Sequence, residues 1–171
     1  YSLSPTDRLE LELRRRKHNQ IGFAVQLCLM RYPGRPLMPN ETPPGAMLNY
    51  VAEQIDADPR LFDLYARREE TRRDHIAHLL GYLEMRSPTA DDRRAALMAA
   101  IDAASTTDKG AVIAKAIIAT FRERRVLLPA VNMIERMGLA ARAVARRRAE
   151  HALISNLEPE TLETLDALRN A

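Results

Sequence analysis

The chain has 171 residues, room for one large or two small domains, and its 46% hydrophobic content supplies a core that Leu, Ile, Val, Ala and Met must fill, since aromatics are 5% and Trp is absent. The net charge of +3 and the pI near 9.3 make it basic without being extreme, a weak pointer to nucleic acid. Cys28 is alone, which excludes a disulfide framework and fits a reducing cytoplasm, and no apolar run approaches the roughly 20 residues that span a bilayer.

In chain order, nearly everything reads as helix. Ser4-Pro5-Thr6-Asp7 combines an N-cap serine, a proline at the first helical position and an acid at the third, and predicts a helix over about 5–16. Ile21, Val25, Cys28 and Leu29 recur at helical spacing, with Phe23, Leu27 and Met30 between them. This predicts a largely buried second helix that stops before Pro33-Gly34. Five of the ten prolines fall between Pro33 and Pro44, so an irregular loop follows.

A third helix is predicted over about 44–55. Asp58-Pro59 then opens a short helix carrying Leu61, Phe62 and Tyr65, and a longer one starts near Glu69 and packs Ile76, Leu79, Leu80 and Leu83. Arg86-Ser87-Pro88 breaks the pattern and marks a domain boundary. Thr89 and Asp92 form a second capping box for a helix to about Ala104. Helices over 109–124 and from Pro129 towards Leu153 follow, and Glu158-Pro159 opens a short last one. No strand or hairpin pattern is present.

The basic residues are 23 Arg against Lys17, Lys109 and Lys115. Arginine carries a flat, permanent fork suited to phosphate and to a guanine edge, although a GC-rich genome would favour its codons equally. The stretch "YARREETRRDH" (65–75) sets two arginine pairs five residues apart. On one unbroken helix, Arg72 would point with Tyr65, Ile76 and Leu83 into the apolar stripe, at a cost. A turn near Arg67 and Arg68, with a new helix from Glu69, removes the conflict and puts Thr71, Arg72 and Arg73 in the first turns of a reading helix. The competing explanation is a solvated face, in which Glu69, Glu70 and Asp74 pair with these arginines.

The second half repeats the arrangement around "FRERRVLLPAVNMIERM" (121–137). Arg124 and Arg125 close one helix, and Asn132 and Arg136 are early polar positions on the next. Residues 122–148 hold eight Arg against Glu123 and Glu135. "RRRKHN" (14–19) joins the first two helices with Arg14, Arg15, Arg16 and Lys17, which suit phosphate contacts or an ordinary solvated loop alike.

Catalytic chemistry is hard to find. His75 and His78 lie three apart with no cysteine nearby, the six glycines make no phosphate loop, and Ser and Cys lack a histidine partner in sequence context. An enzyme is disfavoured for this segment.

"GFAVQLCLMRYPGRPL" (22–37), "YARREETRRDH" (65–75) and "TDKGAVIAKAIIATFRERRVLLPAVNMIERM" (107–137) together resemble the N-terminal region of Tn3-family transposases, in order and over nearly the whole chain. The chain starts at Tyr1 rather than Met and reads as a piece of something longer, lacking the first short stretch of the family's pattern. The resemblance implies a segment that recognises the transposon's terminal inverted repeats. It also implies a metal-dependent Asp-Asp-Glu catalytic core far downstream, outside this chain, so that the fragment itself needs no cofactor.

The expectation is an all-α protein of two helix-turn-helix-like bundles, 1–86 and 87–171, bacterial, cytoplasmic and nucleoid-associated. Its expected partners are double-stranded repeat DNA and the remainder of the transposase, with no membrane and no small-molecule substrate. Thr71, Arg72, Arg73, Asn132 and Arg136 are the expected base or near-base contacts. Arg14, Arg15, Arg16, Lys17, Arg124, Arg125, Arg146 and Arg147 are the expected phosphate clamps, with Arg67 and Arg68 at the first turn. The alternative is a helical interaction module that docks on the transposase core or a second subunit, most readily through the helix over 129–154.

Overall fold

The computed structural model describes residues 1–39, 41–66, 69–155, 160, 161 and 167. The fold is all-α. Among the described residues the helices run in the order α1 (Pro5–Glu12), α2 (Lys17–Arg31), α3 (Gly45–Gln54), α4 (Phe62–Ala66), α5 (Glu69–Tyr82), α6 (Ala90–Ala104), α7 (Gly110–Glu123) and α8 (Val131–Ser155), with a 3-10 turn at Pro59–Leu61. Among the described residues the only extended pairing is an isolated parallel bridge between Arg86 and Val126. The helix expected from Pro159 falls mostly outside the described residues.

The chain divides into two compact units. The first is Tyr1–Pro88 with Phe121–Pro129, and the second is Thr89–Thr120 with Ala130–Ala171. Residues 121–129, expected in the second bundle, therefore belong with the first. The reason is hydrogen bonding and burial that no local pattern announces. Leu127 N–H donates to Arg86 O (3.0 Å), Arg86 N–H to Arg125 O (3.1 Å) and Leu128 N–H to Gly34 O (2.8 Å). Val126, Leu127 and Leu128 are buried.

In the first unit α2 is the central rod. All ten residues from Ile21 to Met30 are buried, because α1, α3, α4 and α5 all pack against it. Gln26 is the polar exception, and its Oε1 accepts from Leu37 N–H at 2.9 Å, which pins the proline-rich loop. Gly22 lets α4 approach: a Cβ there would lie 2.1 Å from the Tyr65 ring.

Ser4 and Asp7 form the expected capping box on α1. Asp7 does more than cap. It is fully buried, accepts both Nη atoms of Arg31 on α2 at 2.6 Å and takes the Tyr82 hydroxyl of α5 at 2.7 Å. Burial alone would raise its pKa, but Arg31, Tyr82 and Ser4 outweigh that and hold the carboxyl far below its ordinary range.

Three helical ends close the same way without glycine. Asp56, Glu84 and Arg125 have φ of 49°, 52° and 52°, and the following N–H reaches back five residues: Ala57 to Ala52 O, Met85 to Leu80 O, Val126 to Phe121 O.

In the second unit α6 and α8 pack along one another. Ala96, Ala100 and Ile101 of α6 are buried, as are Met137, Ala141 and Ala145 of α8. Small residues at the seam let the two backbones come close. Thr89 caps α6 through Asp92. No helix among the described residues is long and apolar enough to cross a membrane.

Candidate nucleic-acid interface

Helix α4 ends at Ala66 and α5 begins at Glu69; Arg67 and Arg68 lie outside the described residues. The turn expected there is therefore outside the described residues, but Arg72 itself is described and is not free. Its side chain is only 12% exposed; one Nη donates to Leu37 O at 3.0 Å and the other to Glu69 Oε1 at 2.6 Å. The guanidinium stays near the core because a carbonyl and a carboxylate each accept from one of its Nη atoms, although its buried Nε has no hydrogen-bond partner among the described residues. It also holds the Glu69 carboxyl below its ordinary pKa. Thr71 is half-buried, and Arg73 is the exposed member of the set.

The outward face of α5 carries Glu70, Arg73, Asp74, Ala77 and Gly81. Two acids against one base give this face no cationic excess. His75 points inward, stacked on Tyr65 with ring centres 5.5 Å apart and edge-on to Phe23 at 5.2 Å. Burial first, and the Arg14 charge second, push its pKa down to about 4. His78 bonds Glu10 at 2.7 Å, so the two histidines do not share a site. Among the described residues no group of three His, Cys, Asp or Glu could hold a metal ion.

The α1–α2 turn adjoins this helix. α1 stops at Glu12, short of the predicted 16, and α2 already starts at Lys17, which leaves Arg14, Arg15 and Arg16 in the turn. Arg14 lies 4.2 Å above the Phe23 ring, the same ring that His75 and His78 flank. Arg15 and Arg16 are exposed. Lys17 donates to Ile55 O at 2.9 Å, which ties it to the end of α3.

Arg124 and Arg125 are placed in the first unit, where Arg125 pairs with Glu84. Arg122, which sequence reasoning did not single out beyond its cluster, donates to Pro33 O at 2.9 Å and covers the Tyr32 ring at 5.2 Å. Arg122 thus joins the end of α7 to the start of the proline-rich loop, and Arg125 joins it to Glu84, which follows α5. The sequence signal was the density of arginine, which does not distinguish a fastener from a ligand contact.

Helix α8 is different. Arg136, Arg142, Arg147 and Arg148 are exposed and make no ion pair among the described residues, while Arg146 pairs with Glu150 at 2.7 Å. At 100° per residue, Asn132, Arg136 and Arg147 fall within an arc of about 60°, spread over about 22 Å of helix axis. Ala140 and Ala143, both exposed, lie between them on the same side. The helix therefore presents a low-relief stripe with a cation near each end.

The described residues thus form an all-α protein with arginines exposed along α8 of the second unit and, separately, at the α1–α2 turn of the first. Residues 1–141 match a family described as a domain of unknown function, DUF4158. Along 98% of its length the chain is 36% identical to the transposase for transposon Tn501 of Pseudomonas aeruginosa and 37% identical to that for Tn21 of Escherichia coli. The transposase for Tn1546 of Enterococcus faecium is 29% identical over the same share. The chain spans 17% of the length of these curated relatives. It belongs to the DUF4158 family and corresponds to the N-terminal region of Tn3-family transposases.

Proposed function

We propose that this domain binds duplex DNA at the terminal inverted repeats of a transposon, as the recognition region of a larger transposase. The observation that carries the reading is the exposure of Arg136, Arg147 and Arg148 on α8 with no acidic partner among the described residues. A stability role would consume those charges in ion pairs, whereas a phosphate-facing role leaves them available. In this reading α8 enters a major groove with Asn132 and Arg136 towards base edges, and Ala140 and Ala143 allow close approach. Arg147, about 16 Å further along the axis, meets the backbone as the groove curves away. Arg146 and Arg148 flank it.

In the first unit the α1–α2 turn, through Arg14, Arg15 and Arg16, clamps phosphate beside α5. Helices α4 and α5 then act as a helix-turn-helix-like pair with Arg73 as its outward base. Arg72 becomes a positioning residue that fixes the start of α5 against the loop. Metal-dependent strand chemistry belongs to parts of such proteins outside this chain.

Titration of the fragment against terminal-repeat and scrambled duplexes at several salt concentrations tests this. The parent should prefer the repeat. Arg136→Ala should cost about 1–3 kcal/mol and relax preference at one position. Arg147→Ala should weaken both duplexes alike and flatten the salt slope by about one unit. Equal affinity for both duplexes, or variants that bind like the parent, would remove the reading.

A further inference from the structure

The second unit has an apolar groove of about 560 Å³ between α7 and α8. Ile113, Ile118, Ile134 and Gly138 line it, and Glu135, Leu139 and Arg142 stand at its edge. Leu139 is 65% exposed and Val131, also at the groove, 60%. We propose that this groove seats α8 of a second copy of the same chain, in a two-fold antiparallel pairing centred on Gly138 and Leu139.

The argument is one of self-complementarity. In a two-fold pairing, if residue i meets j then j meets i. With the axis between 138 and 139, the two Leu139 side chains lie on the same flank of the seam and meet each other, while Gly138 lies on the opposite flank, about 100° around each helix. The exposed leucines cover one another, and Gly138, which has no side chain, lets the helices approach closely. The same axis puts Glu135 opposite Arg142 of the second copy, twice, and Val131 opposite the aliphatic stem of Arg146.

Within one chain Glu135 and Arg142 share a face but stand about 10 Å apart along the helix, out of mutual reach. Neither makes an ion pair among the described residues. An occupant must therefore bring a cation opposite Glu135, an acid opposite Arg142 and a large apolar residue against Leu139, and α8 itself meets all three demands. The apolar contact supplies the attraction, and the charges fix direction and register.

The pairing does not depend on the DNA reading. Its face, from Val131 through Gly138, Leu139 and Arg142, is centred about 100° around the helix from the stripe of Asn132, Arg136 and Arg147.

Sedimentation equilibrium of the whole chain, without DNA, from about 10 µM to about 1 mM, reads the outcome. The parent should show a monomer–dimer equilibrium. Leu139→Asp, at an exposed site, should keep the helical circular dichroism and weaken the dimer at least about tenfold. Glu135→Arg and Arg142→Glu should each weaken it about tenfold through like-charge contacts made twice, and the double reversal should recover it to within about threefold. A chain that stays monomeric throughout would overturn the proposal, as would a dimer indifferent to Leu139→Asp or a double reversal that fails to recover.

Discussion

Two buried ionisable residues, Asp7 and His75, set how the first unit answers acid. His75 is 6% exposed, between Tyr65 and Phe23, with Arg14, Asp74 and His78 as the charged or titratable groups that bear on it. Its folded pKa of about 4 lies below the ordinary 6.5. The unfolded chain therefore binds the proton first, and stability falls as pH drops from about 6.5 towards 4, by up to about 1.4 kcal/mol per unit. Asp7 works in a separate window. Its folded pKa is depressed, so its contribution is complete above the unfolded value and drains only below about pH 4. Denaturant melts of the parent should show both losses. His75→Phe keeps a ring in the stack and should erase most of the first. Asp7→Asn should shrink the second, leaving the share of Glu41, whose pKa Arg35 holds at about 2, and cost about 3 kcal/mol at neutral pH, because Arg31 loses its bidentate partner. An unchanged slope between pH 6.5 and 4 in His75→Phe would contradict the assignment.

At the scale of the element, the starts of α1 and α6 were legible because a capping box is four residues long and carries its own chemistry. The ends of α3, α5 and α7 were less so. Each stops at a non-glycine residue with positive φ, so the usual glycine signal is missing. The turn expected at Arg67 and Arg68, as the means of releasing Arg72, lies outside the described residues. Arg72 itself stays on the inner side, because the carbonyl of Leu37, 35 residues away in the sequence, accepts from it. The two neighbours now separate cleanly. Arg72→Ala should lower the stability of the first unit by about 1.5–3 kcal/mol, since it strands a loop carbonyl and frees Glu69. Arg73→Ala, fully outward, should change stability by less than about 0.5 kcal/mol yet weaken DNA binding by about 1–2 kcal/mol. Thermal melts and binding titrations of the pair check this, and a reversal of the two effects would return Arg72 to the DNA.

For the whole molecule, the sequence boundary near Pro88 misses that the chain crosses between the two units three times, after Pro88, Thr120 and Pro129. Composition and periodicity are local, whereas residues 121–129 are held by Arg86 and by Gly34, both far earlier in the sequence. Leu127, 8% exposed, joins the same core cluster as Phe23, Leu27 and Tyr65. The consequence is measurable by hydrogen exchange, which reports stability amide by amide. Leu127→Ala should lower the protection of α2 amides by about 2–4 kcal/mol, as for a large-to-small change in a packed core. Amides in the middle of α6 and α8 should keep theirs. If 121–129 were instead an inner part of the second unit, α6 and α8 would lose protection and α2 would not. The same logic governs truncation: a fragment cut after Pro88 leaves out Phe121, Val126, Leu127 and Leu128, all buried here, and should be less protected in α2 than the intact chain.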